Sequence, residues 1–327
     1  MRSMTPFLAA ITIISLVFPS PGLSACQIQS SKGKTTGRHI VKLKPNVKMS
    51  TFLKSANVNA TFQWEDLHAF GGEMTQSEIA ALCNNDDVRS ISEDGVFETS
   101  ASTYTVQKDA RWNLARLTAS HNLAADKRFP PYYYQPSAGA GVDIYILDTG
   151  VYLEHNDFRG RAHWGKTTVP HADQKNDKNG HGTHCAATAA GENYGVAKEA
   201  NIIAVKIFDD RGKGSAIDIA EGMRYVLTRS QSSKRPSVAS MSICGLPNDL
   251  VDDGVALLTA AGVHVVARNH GIDARDISPA RAPGAITVGA TNVLDQRAIF
   301  SNYGPVLDIF APGVDIMSAW IGNPKVC

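Results

Sequence analysis

Short apolar runs, each separated from the next by a segment of helical period, constrain this chain more than any other feature. The runs are Val142–Leu147, Ile202–Phe208, Val238–Ser242, Val263–Ala267 and Ala285–Val288. Between two of them, Ile219, Ala220, Met223, Val226 and Leu227 recur at helical spacing. Leu250, Val251, Val255, Leu258 and Ala261 do the same, and Gly262 supplies a stop. A strand that is apolar throughout has no solvent face, so it needs cover on both sides, and the intervening helices provide it. The expectation is an α/β fold, a parallel sheet flanked by helices. Functional residues in such sheets collect outside the carboxyl ends of the strands.

The segment before this region reads differently. Residues 1–25 resemble an export signal: Arg2 gives the positive end, Phe7 to Phe18 the apolar core, and Leu23-Ser24-Ala25 a small residue at the cut. Leu23-Ser24-Ala25-Cys26 also fits a lipoprotein acceptor site, but plain export explains the same residues. The apolar run falls short of a membrane span, so a secreted, extracellular protein is expected, with no membrane partner once the signal is removed. Residues 26–38 are polar. His39 to Lys44 reads as a strand, Ser77 to Leu82 as a short helix with Ser77 as cap, and Val88 to Ile91 as a second strand. That predicts a small α+β domain, followed by a small-residue linker over Thr99–Val106.

Charge narrows the partners. Lys and Arg total 32 against 31 Asp and Glu, so nothing points to nucleic acid or another polyanion. The five cysteines, Cys26, Cys83, Cys185, Cys244 and Cys327, are widely spaced, and no spacing dictates a pair or a zinc site. Cys185 lies in a small-residue run and is expected to be a buried free thiol. Asn59-Ala60-Thr61 is the one glycosylation sequon.

Three residues carry chemistry. Asp148 follows an apolar strand and sits at the rim of a buried sheet, where an acid is either catalytic or a turn cap. His181 follows Asn179-Gly180 and precedes the helix formers Ala186 to Ala190, so a helix opening at His181 presents the imidazole at its N-terminal end. A histidine there takes a proton from a hydroxyl if a carboxylate orients its other nitrogen. The pair His181 and His184 does not fit a zinc hydrolase, which uses i, i+4 histidines with a Glu between them. Asn269, at the end of the strand Val263–Ala267, is either a turn residue or an amide donor to an oxyanion.

Taken together, Asp148-Thr149-Gly150, Asn179-Gly180-His181-Gly182-Thr183-His184-Cys185-Ala186, Tyr194-Gly195-Val196-Ala197-Lys198 and Phe300-Ser301-Asn302-Tyr303-Gly304 resemble the subtilisin-like serine proteases, nearest to their proteinase K-type branch. The family's order is Asp, then His, then Ser. The resemblance implies that Asp148 orients His181, that His181 is the general base, and that Asn269 is the oxyanion donor. It implies that Gly212-Lys213-Gly214 and Ser242-Ile243-Cys244-Gly245 grip an extended peptide as two backbone edges. It also implies a structural calcium at the carbonyls of Pro283 and Ala285 and the carboxylate of Asp308. Residues 26–104 resemble an inhibitory propeptide and 105–327 the peptidase domain. The expected partners are an extended protein or peptide substrate and the chain's own propeptide, and a monomer is expected.

Three departures stand beside the resemblance. The family's serine segment should follow Trp320-Ile321-Gly322, where this sequence reads Asn323-Pro324-Lys325-Val326-Cys327. The expectation is a peptidase domain incomplete at its C-terminus, inactive as it stands. Arg268 and Cys244 occupy positions where the family has glycine. They should crowd the oxyanion position and the primary specificity pocket, which leaves a non-catalytic, binding relative as the alternative.

Overall fold

Strand Asp143–Asp148 shows why the peptidase-like half folds as it does. Its six residues are all buried, with Ile144 and Ile146 turned to one apolar layer and Tyr145 and Leu147 to the other. Such a strand is stable only between two helical layers. The computed structural model describes residues 28–97, 103–123, 128–170, 175–267 and 271–322. The expected signal 1–25, Cys26, Arg268, Asn269 and Cys327 lie outside the described residues. The chain divides into two compact units, Met1–Ala101 and Ser102–Cys327.

The first unit contains β1 (Ile28–Gln29), β2 (Thr35–Leu43), α1 (Met49–Ala56), β3 (Phe62–Trp64), β4 (Ala69–Glu73), α2 (Gln76–Cys83) and β5 (Val88–Gly95). They form one sheet in the order β1-β5-β2-β4-β3, and Val41, Phe70 and Ile91 pack from its inner face against Phe52 and Leu82 of the helices. The expected strand–helix–strand pattern is present, but the cap is Thr75 rather than Ser77. Thr75 and Glu78 form a reciprocal capping box, which satisfies two donors at once and moves the helix start back to Gln76. Cys83 is disulfide-bonded, whereas Cys185 and Cys244 are free.

The second unit contains β6 (Thr105–Gln107), α3 (Trp112–Thr118), β7 (Tyr132–Tyr134), β8 (Asp143–Asp148), β9 (Ala162–Thr167), α4 (His181–Ala190), β10 (Asn201–Lys206), α5 (Ala216–Ser233), β11 (Ser237–Met241), α6 (Asp249–Ala260), β12 (Val263–Ala267), β13 (Ala285–Thr291) and β14 (Ile309–Pro312). Seven strands form a sheet in the order β14-β13-β12-β11-β8-β10-β9, and all of its pairs are parallel. This is the α/β architecture expected. Met223 and Val226 of α5 and Val255 and Leu258 of α6 cover one face, and Ala186, Ala187 and Ala190 of α4 the other. The end of the expected linker is not loose, because Thr105–Gln107 pairs with Tyr132–Tyr134.

Strand order reverses at β8. The chain passes from β8 through β9 and α4 to β10 on one side, then through α5 to β11 on the other. Connections leaving in opposite directions open a crevice at the carboxyl end of β8, and Asp148 is its last residue.

Candidate active site

Helix α4 begins at His181, directly after Gly180 in the left-handed region (φ 98°). A side chain at Gly180 would strike the Trp320 ring, with an added Cβ 2.6 Å from it. The turn therefore needs glycine for both its backbone and its neighbour. It sets the imidazole against Asp148: His181 Nδ1 lies 2.7 Å from Asp148 Oδ1 and 2.9 Å from Oδ2. Asp148 is 1 % exposed, so this interaction is little screened by water. The carboxylate also accepts from the N–H of Thr149 at 2.7 Å.

Cys185, one turn along α4, places Sγ 4.0 Å from both ring nitrogens of His181. The thiol expected to be buried is half-buried and lies against the imidazole. Charge-assisted bonding to Asp148, then the Cys185 contact, push the His181 pKa up to about 10 against the opposing effect of burial. Both contacts favour the protonated imidazole. His184 does not join it: Nε2 lies 2.9 Å from the Ile316 carbonyl, and burial lowers its pKa. Among the described residues, the one group of three or more His, Cys, Asp or Glu side chains close enough to share a metal is Asp148, His181 and Cys185.

The sign of the His181 shift fixes a pH effect. A folded-state pKa of about 10 exceeds the ordinary value of 6.5, so protonation favours the folded state. That contribution is complete below about pH 6.5 and is lost as pH rises through about 10. Lys198, pushed down to about 8 by burial, acts with the opposite sign over the alkaline part of this range. Denaturant titrations of wild type and His181→Gln, subtracted from each other, isolate the histidine. We expect the difference to shrink steadily from pH 6.5 to 10; a difference independent of pH would contradict the ion pair.

The remaining sequence-predicted residues are only partly gathered. A cavity of about 280 Å³ is lined by Thr149, Asn179, His181, Phe208, Gly212, Ser242, Ile243 and Cys244. It brings Gly212 and the segment after β11 to the same imidazole. Lys213, Gly214 and Gly245 do not line it. Gly212 and Lys213 form a tight turn closed by Asp209, whose Oδ1 accepts from Lys213 N at 2.8 Å, and Gly214 packs against the Ile207 carbonyl. Gly245 bridges to Ser278 instead. Cys244 is exposed at the rim of the cavity.

A second cavity, of about 530 Å³, borders His181 on the side of Cys185, Ser240, Phe300 and Ile316. Away from both, Asp308 Oδ2 accepts from Thr287 N at 2.8 Å, which brings the carboxylate beside the start of β13, where Ala285 lies. A carboxylate is a hard-oxygen donor of the kind calcium takes.

Asp177 and Lys206 escaped the sequence reading, and Thr149 entered it only as part of a motif, with no role of its own. Asp177, 2 % exposed, accepts hydrogen bonds at the entrance to α4. Thr149 bridges Asp177 and the N–H of Gly182. Lys206, fully buried, donates to the Thr149 carbonyl at 2.5 Å and to Asp210 at 3.2 Å. The signal available for Asp177 was its place four residues before His181 in an Asp/Asn/Gly turn.

The geometry now has counterparts. The model of the subtilase family matches residues 139–326. A subtilisin-like serine protease of Davidiella tassiana is 40 % identical over 270 residues, covering 79 % of this chain and 52 % of its own length. One from Penicillium rubens is 41 % identical over 266 residues, covering 79 % and 53 %. The chain thus spans about half the length of these relatives. The crystal structure of a cold adapted subtilisin-like serine proteinase superposes with a TM-score of 0.59 at 39 % identity, over 65 % of this chain and 76 % of that one. Among the described residues no helix is long and apolar enough to cross a membrane. With more than half of its residues matched by the family model, and the Asp–His pair set at the sheet crevice, this chain belongs to the subtilase family.

Proposed function

We propose that the chain is the Asp–His part of a secreted subtilisin-like serine endopeptidase precursor of the proteinase K-type branch. In this reading residues 1–25 are the signal, 26–104 the inhibitory propeptide and 105–327 the peptidase domain. The observation that carries it is the contact of His181 Nδ1 with both oxygens of Asp148. Nδ1 so engaged leaves Nε2 as the proton-transfer atom of the imidazole.

The chemistry is acyl transfer. A serine Oγ attacks the peptide carbonyl carbon while His181 Nε2 takes the hydroxyl proton. The carbonyl electron pair moves onto oxygen and is stabilised by the Asn269 amide. Collapse of the intermediate expels the amine, which receives the proton from Nε2. Water then repeats the sequence and releases the acid. Asp148 holds the imidazole and balances its charge throughout. The serine belongs to a third family segment that has no counterpart among residues 1–327, and in this reading those residues alone do not hydrolyse peptides. A calcium held by Pro283, Ala285 and Asp308 would brace β13 and β14 and takes no part in the chemistry.

The turn at Gly212–Gly214 and the segment Ser242–Gly245 are read as the two edges that hold an extended peptide. Cys244 offers the test, because its exposed thiol sits at the cavity rim. We expect a saturating tetrapeptide amide to slow iodoacetamide alkylation of Cys244 several-fold, followed by peptide mapping. An unchanged rate would remove the cleft assignment. The same thiol favours a second reading, a non-catalytic relative that binds or inhibits an active protease, because it narrows the space beside His181.

A further inference from the structure

We propose that Asp177 is the positioning residue of the Asp148–His181 pair, acting through the hydroxyl of Thr149 to fix the separation of strand β8 and helix α4. The proposal rests on reading those two residues as a working pair, but its test needs no hydrolysis.

Asp177 lies on the loop between β9 and α4, outside the pair itself. Its carboxylate is almost wholly buried, and a buried charge is costly unless hydrogen-bonded. Five donors meet it. Oδ1 accepts from Thr149 Oγ1 at 2.9 Å, Asn179 N at 3.0 Å and Gly180 N at 2.9 Å. Oδ2 accepts from Thr183 N at 3.0 Å and Thr183 Oγ1 at 2.6 Å. Because Thr149 donates to Asp177, its oxygen is turned to accept from Gly182 N at 3.0 Å. The hydroxyl thus has one possible orientation.

The consequence is geometric. Thr149 follows Asp148 in the chain and Gly182 follows His181. A single hydroxyl therefore clamps the peptide units next to both members of the pair. The first three N–H groups of α4 are all taken by side chains, two from the turn before it and one from the end of β8: His181 by Asn179, Thr183 by Asp177 and Gly182 by Thr149. The negative charge of Asp177 also complements the positive end of the helix. Lys206 completes the frame from β10, donating to the Thr149 carbonyl and to Asp210, whose own carbonyl accepts from Asn179 Nδ2 at 3.1 Å. Thr149 also donates its N–H to Asp148, so the frame reaches His181 through the Asp148 carboxylate as well as through the spacing of β8 and α4.

The test follows the His181 ring by NMR titration of the full chain, with assignment by loss of the signal in His181→Gln. The variants are Asp177→Asn, Thr149→Val and Thr149→Ser. Release of the clamp lengthens the Asp148–His181 contact, and we expect Asp177→Asn and Thr149→Val each to lower the His181 pKa by roughly one unit or more. Thr149→Ser, which keeps the hydroxyl, should hold it within about 0.3 units. If Asp177→Asn does not fold, the comparison of Thr149→Val with Thr149→Ser decides alone. A Thr149→Val protein that loses stability while its His181 titration stays at the wild-type value would show a purely structural clamp and overturn the proposal. Failure of the protease reading would leave this titration untouched.

Discussion

Gly182→Ala is expected to disrupt the site and lower the thermal midpoint of the peptidase-like unit. An added Cβ at Gly182 would lie 2.1 Å from the Gly150 carbonyl oxygen and 3.1 Å from Asp148 Cβ. The obstacle is backbone, which cannot rotate out of the way as a side-chain end would. Relief requires α4 to move away from the end of β8, which breaks the Thr149–Gly182 bond and lengthens the Asp148–His181 contact together. Overpacking of this kind costs about 3 kcal/mol, which for a unit of this size corresponds to a fall of about 6–12 °C in Tm. Gly245→Ala is the control, since nothing lies within 4 Å of a Cβ built there and its φ is not positive. Calorimetry of both variants should show a large loss for the first and a change within about 0.5 kcal/mol for the second. A Gly182→Ala midpoint within about 2 °C of wild type would contradict the close approach.

The same close approach explains what could be read from the sequence and what could not. The five inner strands were legible because each keeps a short, mainly apolar run, complete in β8, which is buried throughout, and interrupted in β12 by the exposed His264. The outer strands were not. β9 reads Ala-His-Trp-Gly-Lys-Thr and β14 ends in Pro312, and both lie at the sheet edges, where burial no longer dictates composition. In the first unit β4 carries Gly71 and Gly72, which have no strand preference of their own. An added Cβ at Gly71 would sit 2.8 Å from the His39 carbonyl, so packing against β2 selects the glycine. Helix α1 places Met49, Phe52, Leu53 and Ala56 at i, i+3, i+4 and i+7 against the core, so its period is present in the sequence, but it spans only eight residues and has no side-chain cap to mark its start.

The site follows the same division. Asp148 and His181 could be named because a strand end and a helix start are local features. Asp177, Thr149 and Lys206 could not, because their roles come from contacts across three elements that meet only after folding. The small neighbours of Cys185 suggest a buried free thiol, yet the residue is only half-buried, and i, i+4 spacing on α4 sets its sulfur against the His181 ring. That contact, added to the Asp148 carboxylate, holds the proton on His181. Loss of that proton, which general-base work requires, leaves Nδ1 fixed by Asp148 and Nε2 able to accept from an arriving serine, which is the preorganised half of acyl-transfer chemistry.

The central claim is that this Asp–His pair is ready for a serine hydroxyl that residues 1–327 do not bring to it. Intact-mass measurement after treatment with a serine-directed fluorophosphonate tests it most directly. It is applied to the purified chain and to the same chain continued by the C-terminal part of the Penicillium rubens relative. The account predicts no adduct on the chain alone and one per molecule on the continued chain, abolished by His181→Gln. A continued chain that folds but stays unlabelled would favour the binding relative over the protease. A stoichiometric, His181-dependent adduct on the chain alone would contradict the account outright.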